Sequence, residues 1–207
     1  MLITDIDTRL RQADLWPAGH PEATAEDPRP ANAIFIAIYP DPPTARRIGR
    51  LAWGLCKKHQ LNVRPLADRR FHISLYAIGD YARPRSDPAT AIQDALGTIT
   101  MPPFSVAFDQ AVSFKGGRNR PLVLIGGDGL AGLMLLQREL AAALGKTGIG
   151  PRNQPPYHPH ITLLYDERQI EDEPVEAIGW MVSEIVLVRS LRGQGRHVPL
   201  ARWPLRG

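Results

Sequence analysis

The chain has 207 residues, 43% hydrophobic and 22% charged, with 18 glycines, 20 prolines, a single cysteine and a formal net charge of +4. At about 100–200 residues per domain, that is one sizeable domain or two small lobes, and its glycine and proline content falls short of a disordered chain. The longest apolar run, Ala33 to Tyr39, has seven residues, where a membrane span needs about 20.

The N-terminus shows no basic stretch leading into an apolar core, and the lone Cys56 can neither close an internal disulfide nor anchor a cysteine metal site. These features predict a soluble, cytoplasmic protein. Charge is unevenly placed. The first thirty residues hold three basic and six acidic side chains, so the remaining 177 carry +7. A basic body suits an anionic partner such as RNA or a nucleotide, because arginine offers phosphate both charge and paired donors.

Residues 1–31 read as an N-terminal extension: a short helix over Thr4 to Leu15, then a proline-rich, partly flexible segment from Trp16 to Pro30. A single domain is expected over 32–207. Ala33 to Tyr39 is a buried strand, Thr44 a plausible N-cap for a helix to about His59, and Phe71 to Ile78 alternates as a second strand. Ser105 to Phe114 is a further strand. Pro121 to Ile125 is next, followed by a helix from Leu130 to Leu144 with Leu133, Leu136, Leu140 and Leu144 on one face, and then a strand from His158 to Tyr165. Met181 to Val188 reads as one strand, Arg189 to His197 as a turn, and Val198 to Trp203 as a last short strand.

Two of these stretches, around 33–79 and 121–166, overlay without a gap. Adding 88 takes Ile34 to Leu122, Ile36 to Leu124, His72 to His160, Ser74 to Thr162 and Leu75 to Leu163. Both place a His-x-(Ser/Thr)-Leu strand at the same distance from an apolar strand, the mark of an internal duplication. The expected fold class is α+β: two pseudo-symmetric lobes with antiparallel sheets around a central cleft.

Residues i and i+2 of a strand share a face. His72 with Ser74, and His160 with Thr162, therefore each present an imidazole and a hydroxyl, while Ile73, Leu75, Ile161 and Leu163 point into a core. Two imidazoles suit phosphodiester chemistry: one takes a proton from the attacking oxygen and the other gives one to the leaving oxygen. Hydroxyls can donate to the non-bridging phosphate oxygens, and the scheme calls for no metal or cofactor. A His158-x-His160 metal site lacks a third ligand at any visible spacing.

FHISL at 71–75 and HPHITL at 158–163 resemble the paired motifs of the 2H phosphoesterase superfamily, most nearly the bacterial 2′-5′ RNA ligase-like proteins, also called RNA 2′,3′-cyclic phosphodiesterases. The KGGRNRP segment at 115–121 and the closing EIVLVRS…LARWPL pattern extend the likeness over nearly all of 32–207. The resemblance implies hydrolysis of a 2′,3′-cyclic phosphate, on RNA ends or a small cyclic nucleotide, to a 2′-phosphomonoester. It further implies His72 as proton donor, His160 as proton acceptor, and Ser74 and Thr162 as phosphate ligands; the residues themselves do not distinguish the two histidines. Joining RNA through a 2′-5′ linkage and a non-catalytic RNA- or nucleotide-binding module are the alternatives.

Two departures stand out. Leu164-Tyr165-Asp166 follows the second motif where relatives carry a basic residue, and Ser74 stands where threonine is commoner. Tyr76 and Tyr165 either stack on a base or pack in the core; Lys115, Arg118, Arg120 and His158 are further candidate substrate contacts, with a surface or loop role as the alternative. A monomer acting without a membrane is expected.

Overall fold

The computed structural model describes residues 32–81, 89–115, 119–149, 156–191 and 193–207. The expected leader helix and proline-rich segment, and Arg118, lie outside them. The described elements run β1 (Asn32–Ile38), α1 (Pro42–Lys58), β2 (Ile73–Tyr81), α2 (Ala89–Gly97), β3 (Phe104–Ser113), β4 (Arg120–Ile125), α3 (Ala131–Gly145), β5 (Ile161–Asp166), β6 (Glu173–Val182), β7 (Glu184–Leu191) and β8 (Arg196–Pro204).

The strands form two four-stranded antiparallel sheets, ordered β2-β1-β7-β8 and β5-β4-β3-β6. The orders correspond position by position, with β1 and β4 as the central strands flanked by the two motif strands. The bilobal α+β expectation is thereby met. One detail of the overlay needs correction. Ser74 pairs with Ala37, but Thr162 pairs with Val123. The motif strands therefore correspond at an offset of 88 and the central strands at 86. A two-residue slip keeps every side chain on its face, so hydrophobic pattern cannot detect it.

Helix α1 starts earlier than expected. Asp41 is its N-cap, accepting from the Thr44 amide at 2.8 Å, and Pro42 and Pro43 occupy the first turn, where a missing N–H costs nothing. Its buried stripe includes Ile48, Ala52 and Leu55, as its period predicts. Helix α3 buries the expected four leucines and packs on α2, which the sequence reading missed, as it missed β6. The expected strand Met181–Val188 is two strands broken at Ser183, and β8 begins inside the expected turn.

The helix-facing sides of both sheets share one continuous buried core. The opposite side of the first sheet carries a smaller cluster of Ala37, Val186 and Val188 with Phe35 and Tyr39 against it. The lobes are tied together near the end of α1. Glu173 of β6 pairs with both Lys58 and His59, the Arg168 guanidinium donates to the Gln60 carbonyl at 2.6 Å, and the Leu66 amide donates to the Leu163 carbonyl at 2.7 Å. No described helix is long and apolar enough to cross a membrane.

Candidate active site

Each histidine is the residue immediately before its strand, His72 before β2 and His160 before β5. Each ring is fixed in the same way. Nδ1 of His72 lies 2.7 Å from the Arg70 carbonyl, and Nδ1 of His160 lies 2.8 Å from the His158 carbonyl, two residues back in both cases. A carbonyl only accepts, so Nδ1 carries the hydrogen and Nε2 of the neutral ring carries the lone pair. That is the tautomer a general base needs.

A bulge follows at the same place in both strands. Leu75 has no partner across the β1–β2 ladder, and Leu163 none across β4–β5. One extra residue reverses the alternation beyond it. Tyr76 is accordingly turned inward: it is 5% exposed and its hydroxyl donates to the Ile149 carbonyl at 3.3 Å. Of the two roles open to Tyr76, stacking on a base or core packing, it takes the second. Leu164 is buried likewise, and Tyr165 emerges exposed on the face that carries Thr162. Ser74 and Thr162 are half-buried.

The aromatic surroundings differ. Phe114 meets the His160 ring edge-on, centroids 5.0 Å apart. His72 is enclosed by Phe35 at 5.3 Å, Tyr39 at 5.9 Å and, nearest, His197 of β8 at 4.9 Å. His197 Nδ1 lies 3.1 Å from the Tyr39 hydroxyl. Burial raises the Tyr39 phenol to about 12, so it remains protonated. Burial and, after it, the neighbouring His197 push the His72 pKa down to about 3; charge on His160 and Arg70 acts in the same direction, against the carbonyl bond. Burial likewise lowers His160, and burial with Arg70 brings His197 down to about 4. Of the charges felt at His72, that of His160 is one, although burial and His197 weigh more.

Residues 40–194 match the 2′-5′ RNA ligase superfamily. The chain belongs to this superfamily. It is 31% identical over 146 residues to the RNA 2′,3′-cyclic phosphodiesterase of Escherichia coli K12, a match covering 69% of this chain and 80% of that protein. Its fold is similar to that of a phosphoesterase crystal structure (TM-score 0.69, 25% identity, 86% of this chain and 99% of that one). It is also similar to E. coli LigT complexed with 3′-AMP (TM-score 0.67, 27% identity, 85% and 99%).

Within this superfamily member, the remaining sequence candidates scatter. Lys115 is exposed one residue beyond Phe114, and Arg120 is half-buried at the start of β4. His158 contributes its carbonyl, while its own Nε2 is buried with no hydrogen-bond partner among the described residues. Two neighbours of the histidines escaped the sequence reading. Arg70 was legible in principle, since it stands two before His72. Nothing local marks His197, which reaches the site only because β8 completes the first sheet.

Proposed function

We propose that this protein is a metal-independent cyclic phosphodiesterase that opens 2′,3′-cyclic phosphates to 2′-phosphomonoesters. The observation that carries the reading is the pair of imidazoles, each tethered through Nδ1 to the carbonyl two residues back in the same place of a repeated strand, with the charge of His160 felt at His72. The activity named for the E. coli relative supports it.

His160 takes a proton from water through Nε2 as the water oxygen bonds to phosphorus. The bond from phosphorus to the 3′ oxygen breaks, and His72 as imidazolium supplies the proton that this oxygen needs. Ser74 and Thr162 donate to the non-bridging oxygens, where charge builds up. His72 in the free protein holds a proton only near pH 3. The donor form is therefore regained when the anionic phosphate arrives and its negative charge favours the imidazolium against burial and the neighbouring His197.

The test is an RNA oligonucleotide ending in a 2′,3′-cyclic phosphate, incubated with a chelator, with the position of the product phosphate assigned. The expected result is a 2′-phosphate, lost with His72→Ala and with His160→Ala. A 3′-phosphate product or inhibition by the chelator would overturn the mechanism. Binding without turnover would mark a binding module, and joining to a 5′-hydroxyl strand would mark a ligase.

A further inference from the structure

Helix α1 carries five cations, Arg46, Arg47, Arg50, Lys57 and Lys58, and no acidic residue. Arg47 pairs with Glu176 and Lys58 with Glu173, both of β6. Arg46, Arg50 and Lys57 are exposed and form no ion pair among the described residues. With 3.6 residues per turn, these three fall with Trp53 in an arc of about 60°. Like charges one turn apart repel, and no acid on the helix offsets them. Trp53 stands in the middle of the stripe, 55% exposed, so the fold leaves a large aromatic surface in water among three uncompensated cations.

The complementary chemistry lies in the same chain. Residues 17–28 hold Glu22, Glu26 and Asp27 and neither lysine nor arginine, and Pro21 and Pro28 flank the acids. An extended chain from Glu22 to Asp27 spans about 17 Å, and the helix rises about 16 Å from Arg46 to Lys57. Glu22 stands ten residues before Asn32, where β1 begins, and α1 starts three residues after β1 ends. Ten extended residues reach about 35 Å, more than the roughly 25 Å length of α1.

We propose that residues 22–27 of the N-terminal extension dock on the exposed face of α1. Their carboxylates meet Arg46, Arg50 and Lys57, and the flanking prolines pack on the ring of Trp53. Exposed ion pairs are individually weak, too weak to hold a separate acidic peptide. A short tether raises the local concentration to about millimolar, which is why the occupant is this chain's own segment. The proposal is independent of the phosphodiesterase reading. None of the side chains described around the histidines comes from α1, and the acidic run precedes the stretch that matches the superfamily.

The test is paramagnetic broadening of NMR signals in the full chain. A nitroxide is placed on Ala25→Cys, with the buried Cys56 changed by Cys56→Ala so that one thiol is labelled. The amide signals of residues 46–57 and the Trp53 indole signal should lose intensity, while those of α3 should not. Salt at about 1 M, where the screening length is about 3 Å, should restore them. Arg46→Glu/Arg50→Glu/Lys57→Glu should restore them too, and adding Glu22→Lys/Glu26→Lys/Asp27→Lys to that variant should bring the loss back. The dispersion of the same spectra shows that each variant is folded. Unchanged α1 signals, a loss that survives the salt or the triple variant, or a second swap that fails to bring it back would overturn the proposal. Broadening centred on the exposed Met134 and Leu135 of α3 would do so as well. In an equal mixture of spin-labelled and isotope-enriched chains no loss is expected; a loss there would mean that the segment reaches a second copy, and the intramolecular contact falls.

Discussion

The two motif strands share a tethered histidine, a hydroxyl two residues on and a bulge one residue later, yet their surroundings differ. His160 has Phe114 beside it and His158 behind it. His72 has Phe35, Tyr39, His197 and Arg70. Duplication preserved what fixes the reacting atoms. It did not preserve what sets their proton affinity, because the neighbours of His72 come from β1 and the residue after it, from β8 and from the loop before β2. Two like groups in unlike environments are how a site divides acid from base work.

Replacing each histidine tests whether the halves are equal partners. His72→Ala and His160→Ala should each lower kcat by about 10²–10⁴-fold, and the double variant should fall little further, since the two act in one step. A variant that retained most of its turnover would break the symmetry outright.

The strand cores give the structural counterpart. Ile73 and Ile161 are both fully buried beside their histidines, so truncation of either to alanine should cost about 2–5 kcal/mol in chemical denaturation. A large disparity would show that one lobe supports the other.

Acid should then weaken the fold. His72 and His197 hold pKa values of about 3 and 4 in the folded protein, below the unfolded value near 6.5. The unfolded chain therefore takes up protons first as pH falls. Stability is intact above pH 6.5 and is lost between there and about 3–4, at about 1.4 kcal/mol per pH unit for each titrating ring. Urea unfolding at stepped pH would show it, and a flat profile would contradict the crowding at His72.

His197→Asn removes the second cause of the shift after burial, so the His72 pKa should rise from about 3 in an NMR titration, and by more than that of His160 changes. The alkaline limb of kcat/KM, which reports the free protein, should move to higher pH with it. The smallest effect is expected from Tyr39→Phe. It removes only the hydroxyl on His197, worth about 1 kcal/mol or roughly 2–4 °C in Tm.

Much of this architecture was legible in the chain. The leucine stripe of α3, the apolar central strands and the paired tetrapeptides each carry a periodic signal. What escaped has physical causes. Strand β6 alternates buried Ile178, Trp180 and Val182 with exposed residues, but its first half is too polar to stand out. The two-residue slip between the central strands left every face unchanged. The bulges at Leu75 and Leu163 exchanged the fates of Tyr76 and Tyr165, and nothing in an apolar run announces an extra residue. Of the site, the motif residues were readable because their spacing is local, and Arg70 stands only two residues before His72; His197 is a neighbour only in the folded sheet.

The sheet order has a consequence for synthesis. The second sheet is drawn from one contiguous stretch of chain, β3 to β6, whereas the first pairs Ala37 of β1 with Val186 of β7 and closes with β8 at the end of the chain. On a ribosome, the second half can assemble as it emerges, while β1 and β2 wait with an open edge for their last two strands. Long-range pairing of this kind is slow, and an unpaired edge invites association. Loss of β7 and β8 would thus cost the lobe whose first two strands were made earliest.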